Sequence, residues 1–253
     1  MANFISELEN SDIWIYGVNG PEWAKNFGFK ERSGLQILRV PHITFTAFHP
    51  DLCYARSKLD GNLTKVHYNS AIAAWAYIQG MEIRDTSKLF NRDTYSRLGY
   101  FQLWDQSLQA LREDFNACGL DFTRYILAVK RTGLFMHSIN HAMGHAIEEL
   151  AKSLAAKMDA PDSVFKLDLK LADSLIFDAV WPLYPEIADH YALPGGSYDW
   201  KFLGKWVRGL DAYLEFAFRG YELQQISRDG LEIMNRDVTF LSQVLGPLAR
   251  ISR

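Results

Sequence analysis

The order of apolar and polar residues predicts that strands come early in the chain and that helices follow them. Three early segments have the length and composition of short strands: 13–17, 35–40 and 42–48. In the third segment apolar residues alternate with threonines, which is the period of a strand. Residues 49–68 show no period and predict a long loop, a feature that often carries function.

Four later segments have the apolar spacing of helices: 70–79, 101–115, 139–154 and 210 to about 248. The first is nearly all apolar and predicts a buried helix that Asn69 or Ser70 caps and that Gly80 ends. Residues 162–178 fit neither pattern. We therefore predict an α/β fold in a single domain over residues 1–253. It has a small, mainly parallel sheet from the N-terminal half, whose strand order stays open, and a large helical share in the C-terminal half.

Composition and charge narrow the class of protein. The 253 residues are 48% hydrophobic and 23% charged, and 27 Lys+Arg against 30 Asp+Glu leave a net charge of −3. This is the mix of a folded protein, and the small charge argues against a nucleic-acid partner, whose phosphates need a cationic surface. No run approaches the ~18 apolar residues of a membrane span, and the start does not resemble a secretory signal. We expect a cytoplasmic protein and leave homo-oligomers open.

The densest cluster of reactive side chains is a histidine segment, which holds three of the seven histidines: His137, His141 and His145. If a helix begins near Ile139, then His141, His145 and Glu149 share one stripe, which could bind a metal ion. Alternatively, a histidine near the helix start acts as a general base while Asn140 donates to a developing oxyanion. A third interpretation is an exposed polar face. The absence of an HExxH motif favours acid–base chemistry over a metal.

Two other segments could carry chemistry. His49 and Asp51 follow a predicted strand, where ligands of α/β folds collect, and could act as a base and its orienting carboxylate; an ordinary turn is the alternative. A glycine-containing segment could cradle a phosphate, although it lacks the order of a P-loop and a plain loop is the alternative. Its candidate residues are Gly196, Ser197, Tyr198 and Lys201.

The turn after the first predicted strand offers a hydrogen-bond donor. Asn19 lies in this turn and can donate to an oxyanion, but it is not a nucleophile. Cys53, near the His49 segment, could be a thiol nucleophile, although a free cysteine is more often a core residue. With two cysteines the chain cannot form a disulfide framework.

Several motifs occur in a fixed order between about residues 13 and 240. They are Phe48-His49-Pro50-Asp51, Tyr68-Asn69-Ser70-Ala71-Ile72, Leu98-Gly99-Tyr100-Phe101, Phe135-Met136-His137-Ser138-Ile139-Asn140-His141, Trp181-Pro182 with Tyr184-Pro185-Glu186-Ile187-Ala188, and Gly196-Ser197-Tyr198 with Lys201. With these motifs the chain resembles the WcbI-type proteins of capsular polysaccharide biosynthesis, a family regarded as coenzyme A-dependent acyltransferases.

The resemblance implies transfer of an acyl group, such as acetyl, from coenzyme A to a hydroxyl of a polysaccharide sugar or a nucleotide-sugar precursor. In that activity His137 or His141 would deprotonate the acceptor, with His49 and Asp51 as further catalytic candidates, and Asn140 or Asn19 would stabilise the oxyanion. The residues that would bind the acyl-coenzyme A are Asn19, Ser70, Gly196, Ser197, Tyr198 and Lys201. No metal is expected in this site.

One departure from the family pattern changes the expected chemistry. The family has a cysteine in the turn after the first strand. In this chain the turn is Gly17-Val18-Asn19-Gly20, which contains no cysteine. Covalent catalysis through that thiol is not available, so the acceptor would attack the thioester directly. Two alternatives stay open: an inactive relative that binds coenzyme A or a glycan, and a metal-dependent hydrolase that uses His141, His145 and Glu149.

Overall fold

The computed structural model describes residues 2–17, 19–167 and 172–251, and it begins with a small parallel sheet. Strand β1 (Ile13–Tyr16) lies between helices α1 (Ala2–Asn10) and α2 (Pro21–Lys25), and it pairs in parallel with β2 (Gln36–Arg39). A separate small hydrophobic cluster that includes Trp14 supports this sheet. The first two predicted strands are therefore confirmed.

After β2 the described part of the chain forms a pair of strands, seven α-helices, a second pair of strands, and then a helix, a short strand and a last helix. The strands are β3 (Leu52–Ser57), β4 (Leu63–Ser70), β5 (Asp199–Phe202), β6 (Lys205–Arg208) and β7 (Leu231–Ile233). The helices are α3 (Ala71–Ile78), α4 (Ile83–Ser87), α5 (Arg92–Arg97), α6 (Leu103–Ala117), α7 (Phe122–Lys130), α8 (Gly144–Lys157), α9 (Pro185–His190), α10 (Leu210–Leu223) and α11 (Val238–Ile251). Short 3-10 turns cover Tyr100–Gln102, Val164–Lys166 and Ser174–Phe177.

The central sheet is antiparallel, and most of it lies where the sequence predicts a loop. β3 pairs with β4 on one side and with β7 on the other. The predicted loop 49–68 is thus wrong, because it contains β3 and most of β4. A hairpin signal is present in the sequence, since Asp60 and Gly61 lie in the connection 58–62 and Gly61 has φ +71°.

The predicted strand 42–48 is wrong as well, although its alternation is reflected in burial. Ile43 and Phe45 are buried, whereas Thr44 between them is exposed. The segment has no strand partner; instead the backbone N–H of Phe45 donates to the carbonyl of Ile139 at 2.8 Å. The alternation therefore correctly indicates which side chains of this segment are buried. It does not indicate that the segment pairs with another strand.

The predicted helices 70–79 and 101–115 correspond to α3 and α6 and are confirmed. The predicted helix 139–154 begins only at Gly144, so the histidine segment before it is irregular. The helical tract from 210 to about 248 is two helices, α10 and α11, with β7 between them. Of the ambiguous segment 162–178, residues 168–171 lie outside the described part of the chain.

Helix α3 forms the centre of the main hydrophobic core. Seven of its eight residues are buried, and α10 and α11 pack against it. The indole N–H of Trp75 donates to the Ser242 hydroxyl at 3.0 Å, which ties α3 to the last helix. Next to this layer, Trp200 stacks on Tyr213 with ring centroids 3.9 Å apart. Helices from the C-terminal part of the chain thus cover a helix from its N-terminal half.

The α/β fold class with a large helical share is confirmed, and the parallel sheet is the β1–β2 pair near the N-terminus. The other strand pairs of the described residues are antiparallel, so "mainly parallel" fits only that first sheet. Organisation as a single domain stays a prediction. Among the described helices, none is long and apolar enough to cross a bilayer.

Candidate functional site

An open groove of about 330 Å³ lies between the β3–β4 hairpin and the loops before α8 and around β5. Two histidines, two tyrosines, a lysine and an aspartate line it together with apolar side chains. Its lining residues are Tyr54, Lys65, Val66, His67, Tyr68, His141, Asp178, Ala179, Phe202 and Leu203. The volume is at the lower end of what small-molecule sites use. Of the predicted catalytic residues, His141 lines this groove.

His141 belongs to a hydrogen-bonded network in the groove wall. Its Nε2 lies 3.1 Å from the hydroxyl oxygen of Tyr68, and that hydroxyl donates to Asn140 Oδ1 at 2.7 Å. The Asn140 amide donates to the hydroxyl oxygen of Tyr54 at 3.4 Å. The structure therefore brings His141 and Asn140 together, as predicted, and adds two tyrosines to them.

The loop that presents His141 is held by backbone hydrogen bonds. The N–H of His137 donates to the carbonyl of His141 at 2.7 Å, and the N–H of Met143 donates to the carbonyl of Phe135 at 2.9 Å. The N–H of Trp181 donates to the carbonyl of His137 at 2.7 Å. These contacts fix a compact turn, so the imidazole is positioned before any ligand arrives.

Burial lowers the pKa of His141 below its usual value, and the neighbouring His137 lowers it further. Asp178 opposes this shift, with its Oδ2 3.9 Å from His141 Nε2. Nδ1 is buried without a partner, so Nε2 is the nitrogen that the groove can reach. Nε2 is the basic nitrogen in the tautomer that carries its hydrogen on Nδ1, in which the Tyr68 hydroxyl donates to Nε2 instead of to Asn140. A neutral imidazole with a carboxylate nearby can accept a proton and then be stabilised as an imidazolium.

His137 has a different role from His141. Its ring is 5% exposed, and its Nε2 lies 2.8 Å from Asp173 Oδ2. The same carboxylate oxygen accepts from the N–H of Gly144, the first residue of α8, at 2.9 Å. His137 therefore supports the helix start and lies behind the groove, whose lining it does not join.

The helical stripe predicted for a metal site is wrong, because α8 begins after His141. His145 Nε2 lies 2.7 Å from the Thr132 hydroxyl, and Glu149 accepts from Lys152 at 2.8 Å. In the described part of the chain, no group of three His, Cys, Asp or Glu side chains is close enough to hold a metal ion. The three side chains instead have three separate partners.

His49 and Asp51 are buried in the core and away from the groove. The His49 nitrogens face the carbonyl oxygens of Pro182 and Met136 at 3.3 and 3.4 Å, and burial lowers the pKa of His49 to about 4. Asp51 accepts hydrogen bonds from two tyrosine hydroxyls, Tyr100 and Tyr184, both at 2.9 Å. The predicted pairing of His49 with Asp51 is absent, and both side chains hold neighbouring elements together.

The residues predicted to cradle a phosphate have structural contacts. A Cβ on Gly196 would come within 2.8 Å of Pro185 Cα, so glycine is needed there for packing. Ser197 N–H donates to the Leu183 carbonyl, and the Tyr198 hydroxyl donates to Glu186. The Lys201 ammonium lies 5.6 Å from the ring centroid of Phe177 and 5.7 Å from that of Trp206, and the next residue along the chain, Phe202, lines the groove.

Three further predicted residues lie outside the groove. Ser70 is fully buried and caps α3, since its hydroxyl oxygen accepts from Ala73 N–H at 3.0 Å. Cys53 is fully buried, and burial raises the pKa of its thiol, so it is not a nucleophile. Asn19 is exposed in the turn after β1, next to Val18, which lies outside the described residues.

The turn after β1 borders a second open cleft, of about 380 Å³. Gly17, Gly20, Arg39 and His42 are among its lining residues. The cleft lies at the carboxyl ends of the two parallel strands, where α/β proteins commonly bind ligands. Arg39 is held by Asp114 at 2.9 Å.

The fold and the groove together define a mixed α/β protein with a partly buried imidazole in the wall of an open cleft. The chain belongs to the WcbI family: the family described as polysaccharide biosynthesis enzyme WcbI matches residues 7–163. The predicted resemblance is confirmed. No curated protein sequence matches the chain significantly.

A solved structure is similar over 99% of this chain and 83% of its own, with a TM-score of 0.69 and 16% identity. It is described as WcbI, a novel polysaccharide biosynthesis enzyme, in its native form without a disulfide bond between coenzyme A and a cysteine of that protein. At this identity the similarity concerns the fold.

Among the groove residues that sequence reasoning missed are three that contact His141 or Asn140: Tyr54, Tyr68 and Asp178. Tyr68 stands inside a motif that supports the family resemblance, and that was the available signal. Tyr54 belongs to a strand that was read as a loop. No local pattern marks Asp178, because its place beside His141 depends on the path of the chain after α8.

Proposed function

We propose that this protein transfers an acyl group from a coenzyme A thioester to a sugar hydroxyl in polysaccharide biosynthesis. The observation that carries the proposal is His141, whose neutral imidazole reaches the groove through Nε2 and has Tyr68 and Asp178 beside it. Membership of a polysaccharide biosynthesis family and the coenzyme A named for the similar structure support the choice of substrates.

In this mechanism His141 takes the proton of the acceptor hydroxyl as its oxygen attacks the acyl carbon. Asp178 stabilises the imidazolium, and the Asn140 amide donates to the developing oxyanion. The new carbon–oxygen bond forms, the carbon–sulfur bond breaks, and His141 returns the proton to the leaving sulfur. No enzyme nucleophile is needed, which agrees with the burial of Cys53 and Cys118.

Coenzyme A supplies the activated thioester and carries phosphates, which need cations. Lys65 and the residue after Lys201 both line the groove, so the groove rim fits an anionic ligand. Of the other predicted ligands of coenzyme A, Asn19 lies in the turn between Gly17 and Gly20, two residues that line the cleft after β1, and stays a candidate. Ser70, Gly196, Ser197 and Tyr198 are committed to the structural contacts described above.

The test combines ligand binding with turnover. Coenzyme A at millimolar concentration should raise the melting temperature, because a ligand of the folded state adds stability. Acetyl-coenzyme A with a panel of monosaccharides and nucleotide sugars should release free thiol. His141→Gln should lower this rate roughly 10²–10⁴-fold, as loss of a general base does.

The matched control is His190→Gln, which changes an exposed histidine that stacks on Phe101 with ring centroids 4.4 Å apart. It should turn over like the native protein. No thermal shift and no thiol release with any acceptor would contradict the proposal. Binding without turnover would instead support the inactive relative, an alternative that the missing cysteine of the turn favours.

A further inference from the structure

A second, smaller cavity shares a wall with the groove. It lies between β4 and α10 and has a volume of about 30 Å³. Val66 and Tyr68 of β4 line both spaces. The Tyr68 hydroxyl lies 3.1 Å from His141 Nε2. The side chain of Tyr68 therefore connects the lining of this cavity to the proposed base.

The polar atoms around this small cavity already have partners. The Thr64 hydroxyl donates to the Val66 carbonyl at 2.7 Å, and the Tyr221 hydroxyl donates to Asn69 Oδ1 at 2.9 Å. The Gln224 amide nitrogen donates to the Gly220 carbonyl at 2.7 Å. What the cavity offers an occupant is therefore mostly carbon, and an apolar group fits it better than a polar one.

Gly220 creates part of this space. It lies inside α10, on the face with Tyr213 and Ala217 that looks at β4. A Cβ built there meets no atom within 4 Å, and the backbone is not in the left-handed region. Neither packing nor conformation requires glycine, which weakens a helix relative to alanine. The absent side chain leaves room beside the groove.

We propose that this cavity, the acyl slot (Val66, Tyr68, Tyr213, Phe216, Ala217 and Gly220), holds the hydrocarbon end of the acyl group and selects short, unbranched acyl donors. The inference rests on the proposed function. The volume of the slot, about 30 Å³, is two to three times the ~10–15 Å³ that a cavity needs to hold one water molecule, so it admits a methyl or ethyl end, hence acyl groups of about two or three carbons. An acyl carbonyl beside His141 can point its chain along the Tyr68 ring into the slot.

The experiment compares Gly220→Ala and Gly220→Leu with Ala212→Leu, which adds the same side chain to the exposed face of α10. Binding and transfer are measured with coenzyme A and its acetyl, propionyl and hexanoyl thioesters. The native protein should use acetyl and propionyl donors and discriminate against hexanoyl roughly tenfold or more. Gly220→Ala should lower the propionyl-to-acetyl ratio by roughly tenfold.

Gly220→Leu should lose both short donors yet bind coenzyme A itself within about twofold, and Ala212→Leu should behave like the native protein. If Gly220→Leu does not fold, Gly220→Ala carries the test, since its methyl group meets open space. Acyl transfer with the same chain-length profile in every variant would overturn the slot and leave the proposed function standing. If no thioester bound or reacted in the native protein, both would be overturned.

Discussion

At the scale of single residues, two histidines differ in what their rings can reach. His49 is enclosed by the core, and its nitrogens face only carbonyl oxygens of Pro182 and Met136. His141 keeps a side chain that is 17% exposed and reaches the groove through Nε2. The same ring is therefore enclosed by the core at one position and accessible from the groove at the other, where we propose that it accepts a proton.

His49 should make stability depend on pH. Burial lowers its pKa from 6.5 to about 4, so the unfolded chain binds more protons between these values and stability rises with pH. The contribution of neutral His49 to the free energy of unfolding is fully present above pH 6.5 and is lost as the pH falls to about 4. The shift corresponds to about 3 kcal/mol. Chemical denaturation at several pH values measures it.

Burial raises the pKa of Asp51, so Asp51 makes stability fall as pH rises, which is opposite to the effect of His49. Asp51 is present in both the native protein and His49→Gln, so the difference between the two proteins isolates the contribution of His49. His67→Gln, at an exposed position, is the control and should keep the native slope. Equal pH slopes for the native protein and His49→Gln would show that the ring does not titrate differently on folding.

Residue-level chemistry is predictable where it depends on neighbours along the chain. His141 and Asn140 are adjacent in sequence, and both were identified before the structure. Tyr54 and Asp178 come from segments far from His141 and were not. His49 and Asp51 satisfied the same sequence criteria as His141, and only burial shows that their partners are structural.

At the scale of elements, the start of α3 depends on a side chain from a different segment. Asp51 Oδ1 accepts from the N–H of Ile72 at 3.1 Å, and its backbone carbonyl accepts from the N–H of Ala71 at 2.8 Å. Its carboxylate also accepts hydrogen bonds from the hydroxyl groups of Tyr100 and Tyr184. One buried carboxylate thus joins the helix start to two other parts of the core.

Asp51→Ala should therefore destabilise the protein by at least about 3 kcal/mol, because it leaves three buried donors without an acceptor. Urea denaturation measures the change. Asp189→Ala removes an exposed carboxylate from α9 and should stay within about 0.5 kcal/mol of the native protein. A loss for Asp51→Ala as small as for this control would contradict the role given to Asp51.

Elements were predictable from sequence where their own period is strong. α3 and α6 carry long apolar patterns, and the structure confirms both. β3 and β4 were missed because both faces of parts of these strands are buried or mixed, so no alternation marks them. α8 begins late because Asp173, distant in sequence, caps it at Gly144.

At the scale of the whole molecule, the core extends far beyond the segment that matches the family. Residues 7–163 match, yet the main core also contains Trp181, Trp200, Tyr213 and Leu245. β7 completes the central sheet, and Arg236 donates to the carbonyl oxygen of Leu52 at 2.8 Å. The segment from β7 onward is therefore needed to give β3 its second strand partner.

Removal of residues 229–253 should abolish cooperative unfolding, since it deletes β7 and α11 and uncovers α3. Circular dichroism during heating measures this. Removal of residues 1–10 is the comparison and should leave the main core intact, because Ile5 and Leu8 belong to the separate small cluster. A sharp, native-like transition in the chain that ends at residue 228 would contradict this view of the core.

The pairing of β3 with β7 has a consequence for biosynthesis. Ser57 is synthesised long before its partner Leu231. At a translation rate of roughly 5–20 residues per second, the time between the two is on the order of ten to thirty seconds. During that time the nascent chain carries a strand with one open edge, which other polypeptides can bind. The β3 wall of the cleft around His141 is therefore complete only after Leu231–Ile233 have been synthesised.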